Sequence, residues 1–456
     1  MRKLKIHFLG GSGTVTGSKF YLESEGINIL VDCGFFQGTK ELRQQNWLPL
    51  PIDVSQIDVV LLTHGHLDHC GYLPLLVKQG FQGTILGTAP TLAIAEIILM
   101  DSAKIQEEEA ERANEEGYSK HHPALPLYDQ EDVKRTLPHF KSVEEGKQIE
   151  LAPECSAKFR YNGHIIGSTF IELNLFGKQF VFSGDVGRLN DDLLDAPLQP
   201  EWADYLFVES TYGDKNHPVE DVEGILQDLV ARTLQNRGSL IIPSFAVERL
   251  QSLMYLLWKL YNKNKIPNIP IFVDSPMGTN VLNVFGRFPE WHKLSMSEYN
   301  NMRNHVTLVS SYRETWETID DPRPKIVIAG SGMVTGGRVL TYLKQLMDKK
   351  STTVLLVGYQ AEETRGRKLL EGAQELKMFG KHIPVKAQVE HLESLSAHAD
   401  QSELLHWMGN IKNIPEKVFL IHGENEALHT FKNKIEEQQG WQCHIPQLHE
   451  VLEIML

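Results

Sequence analysis

Four potential metal ligands stand within six residues, in the segment His64 to His69, called here the histidine cluster. His64 and His66 can face the same way from an extended turn, which leaves Asp68 and His69 for a second ion. Imidazole nitrogens and carboxylate oxygens are ligands that Zn²⁺ prefers, and paired metal ions are suited to hydrolysis. A polar loop of solvated histidines is the alternative, but loops seldom collect these residues at this spacing. The cluster therefore predicts a two-metal hydrolytic site.

Two coordination shells need further ligands from distant parts of the chain. His164 follows a strand-like segment, Asp185 ends the sequence Phe-Ser-Gly-Asp, and Asp32 closes an apolar run. Each is weak evidence alone, because a lone histidine is more often structural and a Gly-Asp turn is commoner than a ligand. These three residues therefore become evidence for a metal site only when their order along the chain is considered together with the histidine cluster.

Strand-like segments position these candidates. Val59–Leu62 is apolar throughout, which is typical of a strand buried on both faces, and it ends just before the histidine cluster. The sites of α/β sheets lie at the carboxyl ends of such strands. Thr91–Glu116 predicts a long helix. Alternation and turn residues predict further strands at Lys5–Leu9, Lys19–Glu23, Asn28–Val31, Lys158–Tyr161, Ser168–Leu175 and Gln179–Ser183.

Beyond Glu209, short apolar strands alternate with helices, which indicates a parallel-sheet α/β domain. The predicted helices there are Asp221–Gln235 and Glu248–Tyr261, and the predicted strands are Ser239–Ile242, Ile269–Val273, Ile326–Ala329 and Val354–Val357. The end of the chain predicts a helix, a strand and a helix at Ser402–Met408, Lys417–Ile421 and Glu426–Gln438. The pattern of predicted elements thus changes after Glu209.

The bulk properties narrow the class of protein. A length of 456 residues suggests two or three domains. The net charge of −14 excludes a passive nucleic-acid coat, although a local basic groove can serve a nucleic-acid enzyme. The four cysteines are far apart, which argues against a disulfide framework, and no apolar run could span a bilayer. We expect a cytoplasmic protein without membrane association.

The ordered set of Asp32, the histidine cluster, His164 and Asp185 resembles the metallo-β-lactamase superfamily. The resemblance implies two Zn²⁺ ions, with Mn²⁺ as the alternative, and Asp185 bridging them. Their other ligands would be His64, His66 and His164 for one ion, and Asp68 and His69 for the second. Asp32 resembles the superfamily's aspartate that accepts hydrogen bonds and orients the ligand loop without binding metal.

Three later residues narrow the resemblance. Glu209 lies in Val-Glu-Ser-Thr-Tyr-Gly-Asp, His398 lies in Leu-Ser-Ala-His-Ala-Asp, and His422 directly follows an apolar strand. This pattern resembles the β-CASP nucleases, in particular the bacterial relatives of the nuclease subunit of the eukaryotic pre-mRNA 3′-end cleavage complex. The implied fold is an αββα metallo-β-lactamase sandwich with an inserted β-CASP α/β domain. The implied boundaries are 1–210 and 394–456 for the sandwich and 211–393 for the insertion.

The same resemblance implies roles for these residues. His422 would complete the second metal site, and Asp68 would also act in catalysis. His398 would be the general acid or would help to bind the scissile phosphate. Glu209 would hydrogen-bond His398 and raise its pKa, so that it stays protonated near neutral pH.

A histidine at position 422 favours RNA as the substrate, because the DNA-directed β-CASP relatives carry valine there. Ser331 and Gly332 lie in a glycine-rich loop whose backbone N–H groups could cradle phosphate, although a plain strand–helix turn is an equal alternative. Arg249 and Arg338 are the basic residues that we expect near RNA. The sequence therefore predicts a zinc-dependent ribonuclease acting on single-stranded RNA.

Two other functions stay open. One is a metallo-hydrolase of a small phosphodiester or ester. The other is a non-catalytic RNA-processing scaffold, although such a protein should have lost ligands and none is missing here. A homodimer is also left open.

Overall fold

The chain divides into two compact units that together contain every element of the fold. The computed structural model describes residues 2–117, 121–361 and 363–456. Unit 1 comprises Met1–Asn216 and His398–Leu456, and unit 2 comprises His217–Ala397. No helix in these described ranges is both long enough and apolar enough to cross a membrane.

Unit 1 contains two seven-stranded sheets. Sheet 1 has the order β22-β1-β2-β3-β4-β5-β6, and sheet 2 has the order β21-β20-β11-β10-β9-β8-β7. The strands of sheet 1 are β1 (Lys3–Gly10), β2 (Lys19–Ser24), β3 (Asn28–Val31), β4 (Val59–Leu61), β5 (Thr84–Thr88), β6 (Phe140–Val143) and β22 (Val451–Met455). The strands of sheet 2 are β7 (Ile149–Ala152), β8 (Cys155–Tyr161), β9 (Thr169–Leu175), β10 (Lys178–Phe182), β11 (Tyr205–Glu209), β20 (Lys417–Ile421) and β21 (Cys443–His444).

The helices of unit 1 flank this pair of sheets. They are α1 (Lys40–Gln45), α2 (Leu67–Cys70), α3 (Leu73–Lys78), α4 (Ala89–Glu116), α5 (Gln130–Thr136), α13 (Gln401–Met408) and α14 (Asn425–Gln439). Helix α4 packs against β5 and β6 of sheet 1. Apolar side chains of α13 and α14, such as Trp407 and Phe431, share a buried cluster with Leu206 and Val208 of sheet 2. The helices therefore cover both sheets.

Alternating apolar residues join the two sheets face to face. Phe8 and Phe20 of sheet 1 and Phe182, Phe207 and Phe419 of sheet 2 belong to one buried cluster. Period-two alternation places every second side chain on the same face of a strand, so each sheet presents an apolar face to the other. This arrangement confirms the predicted αββα sandwich.

Unit 2 is built on a six-stranded parallel sheet with the order β14-β13-β15-β12-β16-β19. Its strands are β12 (Ser239–Pro243), β13 (Ile271–Asp274), β14 (Thr307–Leu308), β15 (Lys325–Ala329), β16 (Thr352–Val357) and β19 (Gln388–Leu392), and β17 (Glu375–Met378) and β18 (Lys381–Pro384) form a hairpin. Its helices are α6 (Val222–Gln235), α7 (Arg249–Asn262), α8 (Pro276–Arg287), α9 (Met296–Asn304), α10 (Tyr312–Asp320), α11 (Val339–Leu346) and α12 (Arg365–Leu370). The predicted inserted α/β domain is thus confirmed.

The aromatic centre of unit 1 allows a first prediction. Phe207 is fully buried, and its ring centroid lies 4.1 Å from that of Phe182 and 4.5 Å from that of Phe419. Phe207→Ala should lower the free energy of unfolding by about 3–5 kcal/mol, because it leaves a cavity between the sheets. Denaturant titration would measure this loss. The exposed Trp47 serves as the control, and equal losses for Phe207→Ala and Trp47→Ala would contradict the prediction.

Candidate metal centre

Neighbouring parallel strands bring the candidate residues to one edge of each sheet. In sheet 1, the parallel strands β3 and β4 lead to Asp32 and to the histidine cluster. In sheet 2, the parallel strands β10, β11 and β20 lead to Asp185, Glu209 and His422. Because parallel strands end at the same edge of a sheet, their following side chains converge.

Four side chains form a first group, called group A: His64, His66, His164 and Asp185. His66 Nδ1 lies 3.1 Å from His64 Nε2 and 3.2 Å from His164 Nε2. Asp185 Oδ2 lies 3.4 Å from His64 Nε2 and 3.5 Å from His164 Nε2. Four potential ligand atoms thus surround one point, within 4.8 Å of one another.

A second group, called group B, consists of Asp68, His69, His422 and again Asp185. His422 Nε2 lies 3.3 Å from Asp68 Oδ2 and 3.4 Å from His69 Nε2. His69 Nε2 lies 3.3 Å from Asp185 Oδ1. Asp68 and His69 lie in the short helix α2 rather than in an open loop. The His69 ring packs against the His64 ring of group A, with 4.0 Å between the ring centroids.

Asp185 belongs to both groups through different oxygens. Its Oδ2 faces the imidazoles of group A, and its Oδ1 faces His69 of group B. Oδ1 is buried and accepts no hydrogen bond from any residue that the structure describes. A buried carboxylate oxygen without a hydrogen bond is costly unless a cation satisfies it. This oxygen and the surrounding imidazoles therefore fit a pair of metal ions that share Asp185.

Protonation in group A suits metal binding. Burial lowers the pKa of His64 well below 6.5 and lowers the pKa of His66 to about 4. Burial by itself would raise the pKa of Asp185, but His422 and His69 outweigh burial and hold that pKa well below 3.8. Neutral imidazoles and an ionised carboxylate are the forms that bind metals. Group A can therefore hold a cation without first losing protons from His64, His66 or Asp185.

Asp32 holds the His69 ring of group B in place without itself belonging to group A or group B. Its Oδ2 lies 2.8 Å from His69 Nδ1 and accepts a hydrogen bond of 2.8 Å from the Thr63 hydroxyl. Its Oδ1 accepts the backbone N–H of Thr63 at 2.8 Å. Burial lowers the pKa of His69, but Asp185 and Asp32 outweigh burial and raise it. Asp32 thus fixes the His69 ring so that Nε2 faces group B.

His398 and Glu209 lie beside group A. The His398 ring centroid is 4.4 Å from that of His164, and His398 Nδ1 lies 3.3 Å from Glu209 Oε1. Glu209 is fully buried, and its Oε1 also accepts the backbone N–H of Val186 at 2.7 Å. Its Oε2 accepts the backbone N–H of Thr211 at 3.2 Å. These bonds fix the carboxylate that orients His398.

The charge of Glu209 affects the protonation of His398. Burial lowers the pKa of His398, but the charge and hydrogen bond of Glu209 outweigh burial and raise it from 6.5 to about 9. Metal ions at the neighbouring groups would act in the opposite direction. Without them, the ring is a cation at neutral pH and can donate a proton.

Two threonines that no sequence pattern singled out support the residues of the candidate site. Thr63 anchors Asp32, and the Thr211 hydroxyl lies 3.1 Å from His422 Nδ1 and donates a hydrogen bond to the His422 carbonyl. Both threonines are close in sequence to predicted site residues, since Thr63 precedes His64 and Thr211 follows Glu209 by two positions. Closeness in sequence to a predicted site residue is therefore the one sequence feature that could have pointed to these two threonines.

In unit 2, two of the four residues expected near RNA are engaged by other protein groups. The Arg338 guanidinium donates to buried Asp274 and to the Thr315 hydroxyl, and it stacks on the Tyr312 ring. The Ser331 hydroxyl accepts the backbone N–H groups of residues 335 and 336, so it closes its own loop.

The other two pack closely against neighbouring loops. A side chain at Gly332 would meet the Phe245 ring at 2.7 Å, and one at Gly358 would meet Arg249 Nη1 at 2.5 Å. RNA binding by these four residues stays a prediction.

The sandwich and its shared-carboxylate cluster define a metallo-hydrolase of the metallo-β-lactamase class. Residues 13–221 match the metallo-β-lactamase superfamily, and residues 250–369 match the β-CASP domain. Residues 382–446 match a Zn-dependent metallo-hydrolase RNA specificity domain. The chain is 34% identical to Ribonuclease TTHA0252 of Thermus thermophilus, over 93% of this chain and 94% of that protein. The chain belongs to the β-CASP ribonuclease family of the metallo-β-lactamase superfamily.

Other similar proteins carry different names. An RNase J-like protein of Methanocaldococcus jannaschii is 30% identical, with 92% of both chains covered. The transcription termination factor FttA of the same organism is 29% identical, over 97% of this chain and 70% of that protein. A solved structure of a protein of unknown function from Enterococcus faecalis V583 covers 99% of this chain with a TM-score of 0.57 and 14% identity. That last similarity concerns the fold alone.

Proposed function

We propose that this chain is a zinc-dependent ribonuclease that hydrolyses phosphodiester bonds of single-stranded RNA. The observation that carries the proposal is the pair of ligand groups that share Asp185, with the His398–Glu209 pair beside them. The similarity to Ribonuclease TTHA0252 and to an RNase J-like protein supports RNA as the substrate. No observation favours a small ester or a non-catalytic scaffold.

Groups A and B would hold two Zn²⁺ ions, with Mn²⁺ as the alternative. Group A offers three imidazoles and group B two, and the shared Asp185 would contact both ions. Such ions would neutralise phosphate charge and make a water molecule acidic enough to react near neutral pH. Asp32 would keep His69 oriented towards its ion.

The chain's own residues would move the protons. Glu209 accepts a hydrogen bond from His398 Nδ1, so the ring nitrogen that would act on the substrate is Nε2. His398 Nε2 would then donate its proton to the oxygen that leaves phosphorus. Asp68 is 17% exposed, against 2–4% for its partners in group B, so it would accept a hydrogen bond from the attacking water. The two residues would thus act on the two sides of the phosphate.

The test is digestion of single-stranded RNA labelled at one end, with and without a chelator. We expect cleavage that the chelator abolishes and that added Zn²⁺ restores, with two zinc ions per chain by elemental analysis. Internal fragments would indicate an endonuclease, and a ladder of mononucleotides an exonuclease. Turnover of bis-p-nitrophenyl phosphate without RNA cleavage would instead indicate a small phosphodiesterase. Bound zinc with neither activity would indicate a scaffold.

Two further expectations accompany this proposal. The four cysteines are all unpaired and buried, which is compatible with the expected cytoplasmic location. A homodimer stays a prediction, and size-exclusion chromatography with light scattering would measure it.

A further inference from the structure

The segment that carries His398 is attached to the segment that carries Asp185. The backbone N–H of Ala399 donates to the Val186 carbonyl at 2.7 Å. Each partner is the immediate neighbour of a site residue, because Ala399 follows His398 and Val186 follows Asp185. The position of His398 therefore depends on how these two segments are held together.

One carboxylate outside groups A and B joins the same two segments. Glu403 Oε2 accepts Arg188 Nε at 2.7 Å and the backbone N–H of Asp400 at 3.0 Å. Its Oε1 accepts the backbone N–H of Leu189 at 3.2 Å. Arg188 and Leu189 follow Asp185 by three and four residues, and Asp400 follows His398 by two. We propose that Glu403, with Arg188, is a positioning residue that sets the distance between His398 and the Asp185–Glu209 pair.

Burial distinguishes this pair from ordinary surface ion pairs. The side chains of Arg188 and Glu403 are 20% and 13% exposed, whereas those of Lys412 and Glu201, an ion pair in the same unit, are 64% and 66% exposed. Exposed pairs contribute little because solvent screens them and both side chains stay mobile. The Arg188–Glu403 pair is screened less, so it can hold two backbone segments in register.

Glutamine at position 403 separates positioning from helix capping. Glu403 is the third residue of α13 and forms a capping box with Asp400. Both glutamate and glutamine occur at this position of capping boxes, so the substitution keeps the start of the helix. The amide oxygen in place of Oε2 keeps the bond from the Asp400 N–H and leaves Arg188 only an uncharged, weaker acceptor, while the amide NH2 faces the Leu189 N–H. The connection to the Asp185 segment is therefore weakened while the start of the helix is kept.

The inference rests on the proposed ribonuclease function, and its test starts from a wild-type protein that cleaves RNA with both metal ions bound. Glu403→Gln should lower kcat for RNA roughly tenfold with little change in KM, since misplacing a reacting group by an ångström can cost as much as a hundredfold. Metal content should stay at the wild-type value, because Glu403 touches no residue of group A or group B, and kcat per folded, metal-loaded chain should still fall. A merely structural role would instead lower the melting temperature and leave kcat per metal-loaded chain unchanged.

A double-mutant cycle tests whether Arg188 and Glu403 act together. Arg188→Gln should lower kcat to a similar extent, and the double variant should be no worse than either single one. Glu201→Gln, which removes the exposed pair, should cleave RNA at the wild-type rate. The inference is overturned if Glu403→Gln keeps kcat within twofold of wild type, or if it loses metal in proportion to activity. A wild-type protein without RNA cleavage would instead contradict the proposed function.

Discussion

Asparagine in place of Asp185 is expected to lower RNA cleavage by roughly a thousandfold. Asp185 is the one residue shared by groups A and B, and its Oδ1 is buried without a hydrogen bond among the described residues. Paired metals supply several kcal/mol of transition-state stabilisation, and about 1.4 kcal/mol corresponds to a factor of ten. The asparagine side chain would place an amide N–H where one ion needs an oxygen, so both affinity and rate should fall.

Elemental analysis and single-turnover cleavage would measure the two effects together. We expect Asp185→Asn to hold at most one metal ion per chain, and excess Zn²⁺ should restore little activity. Asp195, an exposed aspartate ten residues further along the chain, provides the matched control, and Asp195→Asn should behave as wild type. Full occupancy of two ions with a wild-type rate in Asp185→Asn would show that the shared carboxylate is not a ligand.

Replacing His398 with alanine should lower kcat for RNA by about 10²–10⁴, the range that general acid catalysis contributes. The reason is the position of His398 beside group A. Glu209 orients the His398 ring, and neither residue belongs to group A or group B. Metal content should therefore stay at two ions per chain, in contrast to Asp185→Asn. Loss of metal together with activity would argue that His398 is itself a ligand.

A second substrate separates the two roles predicted for His398. The leaving group of bis-p-nitrophenyl phosphate departs as a stable phenolate and needs no proton. If His398 is the acid, His398→Ala should slow this substrate much less than it slows RNA. Equal losses on both substrates would favour phosphate binding instead. His406, an exposed histidine on α13, serves as the control, and His406→Ala should leave both rates unchanged.

Much of the fold and of the site's location could be predicted from local sequence. The apolar run before the histidine cluster becomes β4, and the long helix expected from Thr91 begins two residues earlier, where Thr88 caps it. Both follow from patterns within a few residues. The clustering of candidate ligands also has a partly local origin, because Asp32, the histidine cluster and His422 closely follow predicted strands and parallel strands end together. Glu209 and His398 follow no predicted strand.

What the sequence could not predict depends on contacts between distant residues. The choice of Nδ1 in His66 but Nε2 in His64 depends on ring rotation, which packing determines. The pairing of Arg338 with Asp274 joins positions 64 residues apart, and no local sequence pattern predicts it. The Glu403–Arg188 contact joins positions 215 residues apart and could not be predicted for the same reason. Spacing therefore locates the ligands, and tertiary structure decides what supports them.

The discontinuity of unit 1 has a consequence during synthesis on the ribosome. His69 and His422 of group B are 353 residues apart, and all of unit 2 is translated between them. At about 5–20 residues per second, group B stays incomplete for roughly 20–70 s after its first ligands have been made. Throughout that interval the nascent chain lacks His422, one of the four residues of group B. The order of translation thus completes group B only when most of the chain has been made, so a reaction that needs both groups can start only then.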